Sequence, residues 1–316
     1  MLIALIMVGM ISMGTCQGAT VQIAVGNTPL SVTTSALLSF TIEISQMYIP
    51  SRLCNFSDPV LLNLARSLEP EIIRFGGTRG DSFYYQLLPN QPQLATPPPG
   101  YQAIITPELL GPVFQFASAI NAKLLYGANA GLGPRLGNAT EPPSHFITDP
   151  GQWMPDNFNV LAQYCLQKNC PIAGWEFGNE PNLFPSKFNF YLSPFQYATD
   201  LRHFCAIVHQ YPNWTCLASD VDYAPFVDGV QDFDVEYLPR AGSVVDHVTY
   251  HFYPLIGDSH GPLPIEERPW LAQPWKILDP YYLNQVSKLA DRLYPFYKKY
   301  APQASIILGE TSRYFF

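Results

Sequence analysis

The strongest constraint on the fold is an alternation that runs the length of the chain. Short apolar runs at residues 37–44, 72–75, 123–129, 174–180, 215–218, 244–251 and 305–308 are separated by helical stretches near 58–67, 107–121, 157–168, 194–210, 232–240 and 281–300. Apolar runs of strand length alternating with helices specify parallel strands joined by helical crossovers. A doubly wound sheet satisfies that rule, and so does a barrel. Glycine, amide and acidic residues recur at the ends of most runs, as in Gly76-Gly77-Thr78 and Gly127-Ala128-Asn129, which matches the ring of loops above a (β/α)8 TIM-type barrel. Seven strands are legible, so the expected fold is an α/β barrel of this type, incomplete, without its eighth unit.

Two of the runs end on carboxylates. In Gly174-Trp175-Glu176-Phe177-Gly178-Asn179-Glu180-Pro181-Asn182, Gly178 permits a sharp turn and Pro181 removes a backbone donor. Asn179 and Glu180 are thereby left at the carboxyl end of the fourth strand. One such acid is often only a helix cap. A second, Glu310 in Leu308-Gly309-Glu310-Thr311, ends the seventh strand and completes a pair. Two carboxylates on two strand ends are the equipment of a glycosidase: one protonates the leaving oxygen and the other attacks the anomeric carbon. Arg74, in a strand of an almost charge-free core, is expected to pair with a buried carboxylate, either a structural one or a member of that pair.

Composition narrows compartment and partners. Hydrophobic residues make up 47% of the 316, which excludes a disordered class. No charged side chain precedes Glu43, and the apolar start reads as a signal peptide over residues 1–18, although it lacks a basic beginning. Sequons at Asn55, Asn138 and Asn213 agree with a secretory route, extracellular or lysosomal, and allow peripheral association with a membrane or matrix through glycans. Of six cysteines, Cys16 departs with the leader; the remaining five are an odd number, so at least one stays free or pairs between chains. Connectivity is open, a Cys205–Cys216 clip of a helix end to the next strand being one pairing. No Cys/His set has ligand spacing, so no metal is expected. A net charge of −8 with 17 Lys and Arg and no basic cluster argues against nucleic acid.

The motifs Ile73-Arg74-Phe75-Gly76-Gly77-Thr78, Leu125-Tyr126-Gly127-Ala128-Asn129, Trp175 to Pro181 and Leu308-Gly309-Glu310-Thr311-Ser312, with a looser Val248 to Tyr253, carry a likeness to a known family. Over residues 37–311 the chain resembles the heparanase family of secreted glycosidases, glycoside hydrolase family 79. The resemblance implies Glu180 as general acid/base and Glu310 as nucleophile of a retaining reaction that needs no cofactor. It implies Asn179 on a sugar hydroxyl or steadying Glu310, and Asn129, Glu43 and Thr78 along the cleft. His251 and Tyr253 match its aromatic wall, with Tyr253 in reach of the nucleophile. The implied substrate is a β-glucuronide linkage in a glycosaminoglycan, heparan sulfate or hyaluronan, or in another glucuronide. The excised basic segment of the vertebrate proteins has only a short counterpart here, at 81–107, uncharged after Asp81. Activation by excision is therefore not expected. The family continues into an eighth barrel unit and a C-terminal β-sandwich. The expected organisation is thus a leader at 1–18, an N-terminal strand segment at 19–35 and a barrel at 36–316 cut short, a piece of a longer product. The rival readings are a catalytically silent carbohydrate-binding or interaction protein, and a retaining glycosidase of other sugar specificity.

Overall fold

The computed structural model describes residues 39–48, 54–135, 146–223, 230–255, 276 and 279–311. The leader, the 19–35 segment, the Asn138 sequon and most of the loop 254–280 lie outside them. Seven parallel strands form one sheet: β1 (Phe40–Glu43), β2 (Ile72–Gly76), β5 (Lys123–Ala128), β6 (Ile172–Phe177), β7 (Thr215–Tyr223), β8 (His247–Phe252) and β9 (Ser305–Glu310), paired in that order. Two short strands, β3 (Phe83–Tyr85) and β4 (Ala103–Ile105), pair separately and were not legible in the sequence. Strand order follows chain order, as it must when each crossover returns the chain beside the strand it left. The sheet curls until its edges approach: Thr41 Oγ1 on β1 donates to the Gly309 carbonyl on β9 at 2.9 Å. The fold is an incomplete (β/α) barrel.

The helices start where their first residues dictate. Asp58 caps α1 (Pro59–Ser67) by accepting from Val60 N at 2.7 Å, and Ser193 caps α5 (Pro194–Val208) by accepting from Gln196 N at 3.1 Å. Each opens on a proline, whose missing N–H is unneeded in the first turn. Helices α2 (Pro107–Ala119), α3 (Asp156–Lys168) and α6 (Asp232–Ala241) lie within two residues of the sequence expectation at each end. Asn284 divides the expected last helix into α7 (Pro280–Leu283) and α8 (Gln285–Tyr300).

Alternation along each strand separates an apolar face from a polar one. On β6, Trp175 and Phe177 face the helices. Trp175 sits edge-on to Phe158 of α3 and to Trp214, each at 5.3 Å, and Phe177 meets Phe204 of α5 at 4.8 Å. Burying an aromatic ring of this kind stabilises by about 1.5–3 kcal/mol. Between them Glu176 points the other way, toward Arg74 of β2. Disulfide Cys205–Cys216 ties α5 to β7, one of the pairings the sequence leaves open; Cys54, Cys165 and Cys170 are free.

Strand β7 is longer than its sequence reads. Apolar residues stop at Ala218, yet pairing continues through Val221↔Tyr250, Asp222↔His251 and Tyr223↔Phe252. Ser219, Asp220 and Asp222 resemble loop residues, but Ser219 turns to Asp234 of α6 while Asp220 and Asp222 face the polar side of the sheet. Strand β9 likewise runs on to Glu310, and places it in register with His251.

Candidate active site

Arg74 is the centre from which the site is built. Its side chain is buried, and it donates through Nε to Glu176 at 2.6 Å, Nη1 to Glu310 at 2.5 Å, and Nη2 to Asp220 at 2.6 Å and the Asn179 amide oxygen at 3.0 Å. One planar fork thus fixes side chains from β6, the turn after β6, β7 and β9. Burial works against its charge, but the three carboxylates more than compensate, so Arg74 stays a cation. Burial pushes Glu176 up, with Arg74 opposing, whereas Arg74 and His251 overcome the burial of Asp220 and hold it down.

His251, fully buried on β8, faces three carboxylates. Nδ1 lies 2.9 Å from Glu180 Oε1 and 3.8 Å from Glu310 Oε2, and Nε2 is 3.3 Å from Asp220 Oδ1. Burial favours the neutral ring, yet the charges of Asp220 and Glu310 and the bond to Glu180 push its pKa up to about 10. It is therefore an imidazolium, and Nδ1–H donates to Glu180.

Glu180 follows Gly178 and Asn179 at the mouth of β6 with φ of 52°, a left-handed conformation unusual for a non-glycine residue and common at functional sites. Gly178 adopts φ of 78°, and a Cβ there would meet that of Ala130 at 2.8 Å. Lys187, in the short helix α4 (Phe184–Phe188), donates to Glu180 Oε2 and, at 2.9 Å, to Thr78 Oγ1. Burial tends to raise the Glu180 pKa, but His251 and then Lys187 outweigh it and hold the carboxyl at about 2. Glu310 accepts from Arg74 on one oxygen and from the Tyr253 hydroxyl, at 2.5 Å, on the other. One ligand atom each from Glu180, His251 and Glu310 lie within 4.8 Å of one another. That spacing would suit a metal, but Lys187, Arg74 and Tyr253 already donate to the carboxylate oxygens, and His251 to Glu180.

A cleft of about 290 Å³ opens over this cluster, lined by Glu43, Thr78, Asn179, Glu180, Lys187, Asp222, Tyr253 and Glu310 among others. Burial, then the charge of Glu310, raises the Glu43 pKa. Gly77 beside it adopts φ of 129°, which favours glycine, and a Cβ there would also displace the Glu43 carboxylate, 2.0 Å away.

The structure thus brings Glu180, Glu310, Asn179, Glu43, Thr78, His251 and Tyr253 together, but not all in the expected manner. Asn179 is held by Arg74 rather than by Glu310. His251 lies beneath the cleft floor. Asn129 does not line the cleft: its amide donates to the carbonyls of Phe83 and Leu132 and accepts from Gly131 N, so it is consumed in shaping the loop after β5. Asn55 and Asn213, the sequons among the described residues, are exposed.

Five participants were not picked out in the sequence as site residues: Asp81, Glu176, Lys187, Asp220 and Asp222. Glu176 carried a signal, a lone charge between Trp175 and Phe177 that needs a partner such as Arg74. Asp220 and Asp222 alternate about Val221, a strand pattern hidden by their polarity. Asp81 accepts from the backbone N–H of Ala130 and of Asn179, each at 2.8 Å, stapling the ends of β5 and β6; burial pushes it up to about 7 against those bonds.

With this geometry in hand, comparison with known proteins is decisive for kinship. Residues 51–315 match the model of the glycosyl hydrolase family 79 N-terminal domain. The chain belongs to that family. It is 24% identical over 332 residues to heparanase of Bos taurus (91% of this chain, 55% of that protein). It is 26% identical over 302 residues to heparanase of Gallus gallus (82% and 54%), and 28% identical over 268 residues to heparanase-like protein 1 of Arabidopsis thaliana (80% and 45%). The chain therefore spans about half the length of the curated relatives it matches. Among solved structures, an arabinofuranosidase from Xanthomonas axonopodis pv. citri superposes with TM-score 0.57 at 12% identity, covering 89% of this chain and 58% of that one. A Formosa endo-laminarinase gives 0.52 at 13% identity, covering 88% and 66%. These establish the shared barrel fold.

Proposed function

We propose that the protein is a retaining glycoside hydrolase that cleaves β-glucuronide linkages in a glycosaminoglycan, with Glu310 as nucleophile and Glu180 as general acid/base. The observation that carries this reading is the approach of Glu180 and Glu310, each with a carboxylate oxygen within 4.8 Å of the other's. Retaining pairs stand about 5–5.5 Å apart, whereas inverting pairs leave room for a water at about 6.5–9.5 Å. Arg74 and Tyr253 each donate to one oxygen of Glu310 and hold the carboxylate in place, as a nucleophile requires. Glu180 is ionised in the free protein. It becomes an acid when substrate draws Lys187 from Oε2, with His251 Nδ1–H, 2.9 Å from Oε1, as the nearest proton. In the second half of the cycle the same carboxylate takes a proton from water. Membership of family 79 and the heparanase relatives support this assignment.

The test is turnover of a fluorogenic β-glucuronide by the protein and by its Glu310→Gln variant. Turnover lost in the variant supports the enzyme; saccharide binding by the unaltered protein with no turnover of any glycoside supports a silent carbohydrate-binding protein instead. We further propose entry into the secretory route with glycans at Asn55 and Asn213, checked by the mass lost on enzymatic deglycosylation. Among the described residues no helix is long and apolar enough to cross a membrane.

A further inference from the structure

Four carboxylates line the cleft, and three are engaged. Glu43 accepts from Ser45 N, Glu180 from His251 and Lys187, and Glu310 from Arg74 and Tyr253. Asp222 is the exception: among the described residues no donor is hydrogen-bonded to its carboxylate. Its backbone, by contrast, is clamped. Asn182, two residues past Glu180, accepts from Asp222 N at 3.1 Å and donates to its carbonyl at 3.0 Å. Register sets Asp222 opposite His251, which is itself opposite Glu310, so the three occupy one level on adjacent strands. A half-buried acceptor, rigidly placed beside the catalytic pair and left without a donor, is arranged for groups that arrive with a ligand.

We infer that Asp222 is a specificity-determining residue that accepts hydrogen bonds from sugar hydroxyl or N–H groups and excludes an anionic substituent from its side of the cleft. This rests on the glycosidase reading above and deepens it: the substrate preferred is an unsulfated glucuronide chain. An ionised carboxylate can accept from two neighbouring hydroxyls at once, whereas a sulfate offers it no donor and a like charge. Around it stand Glu180, Glu310, His251 and Lys187. Burial and the charge of Glu180 push Asp222 up to about 6, with His251 and Lys187 pulling the other way, so it is ionised near neutral pH and discharges in mild acid.

The test uses two glucuronide trisaccharides that differ only in whether the flanking glucosamine is N-acetylated or N-sulfated. The protein and its Asp222→Asn variant are compared by the ratio of kcat/KM for the two, so that any common loss of activity cancels. The expected preference of the unaltered protein for the N-acetylated chain is about tenfold or more at pH 7, weakening as pH falls below about 6. In Asp222→Asn the preference falls at least about threefold and no longer changes with pH across that range. An unchanged ratio in the variant, or no preference in the unaltered protein, overturns the role of Asp222 while leaving the glycosidase intact. Should neither trisaccharide nor any other glycoside be turned over, the glycosidase reading falls. The same contrast is then read as binding affinity by calorimetry, where equal affinities in both proteins, or no binding by either, overturn the inference.

Discussion

At the scale of single residues the site is a set of charges that hold one another. Arg74 satisfies Glu176, Asp220 and Glu310 from within a strand almost wholly removed from water, and removing it leaves three acids facing each other. Breaking a buried ion pair from one side costs about 3–5 kcal/mol. Arg74→Met is expected to lose at least that much in urea unfolding. Arg74→Lys recovers little, because a single ammonium cannot span three strands. A variant that unfolds at the same urea concentration as the parent would remove Arg74 from the centre of the site. Lys187 carries a second prediction. It helps to hold Glu180 near 2, so Lys187→Met raises the pKa of that carboxyl. If Glu180 is the acid, the alkaline limb of the kcat/KM profile moves to higher pH in the variant; a limb that stays in place, or moves down, contradicts the assignment. Both glutamates were legible in the sequence because Gly-Asn-Glu-Pro and Gly-Glu-Thr mark strand ends chemically. Lys187 was not: it reaches the site from a short helix through a contact that spacing along the chain does not encode.

At the scale of elements, placement of the acids depends on how strand ends are tied. Asp81 joins the mouths of β5 and β6, and burial raises its pKa from the usual 3.8 to about 7. An acid whose pKa is higher in the folded than in the unfolded state contributes stability that is fully present below 3.8 and lost as pH rises through 7. The difference in unfolding free energy between the protein and Asp81→Ala is therefore expected to shrink between pH 4 and 7, with a slope of at most about 1.4 kcal/mol per pH unit. A difference that widens over that range would reverse the sign and refute the account. On the opposite side of β6, Cys205–Cys216 closes a loop of separation 11 between α5 and β7. Replacing both cysteines by serine should cost about 2–3 kcal/mol, read from the denaturation midpoint. The helices and most strands were legible because their apolar faces repeat with the correct period, and α1 and α5 also have explicit caps. Strand β7 beyond Ala218 was not, because the side of the sheet it presents there is a charged cleft, and hydrophobicity is a guide only where a face is buried in apolar surroundings.

At the scale of the whole molecule, the two halves of the proposed catalytic pair have unequal support. Glu180 leaves the central strand β6, paired on both sides and backed by the aromatic layer of Trp175 and Phe177. Glu310 ends β9, whose residues are all half-buried or exposed, whereas the last four residues of β6 are all buried. What secures Glu310 comes from a distance: Arg74, Tyr253, and the bond by which Thr41 on β1 reaches the carbonyl of Gly309. Local opening follows the density of such contacts. Amide hydrogen exchange should therefore be slowest in β5 and β6 and faster in β1 and β9. Thr41→Val keeps the shape of the side chain but removes the donor, at a cost of about 0.5–1.5 kcal/mol. Its effect should be confined to β1 and β9, where exchange speeds up while β5 and β6 are unchanged. If Glu310 is the nucleophile, kcat on a β-glucuronide falls in step with the faster opening of β9, and KM moves less. Faster exchange in β9 with no loss of kcat would show that Arg74 and Tyr253 alone keep Glu310 in place, and that approach of the two sheet edges is not needed for the chemistry.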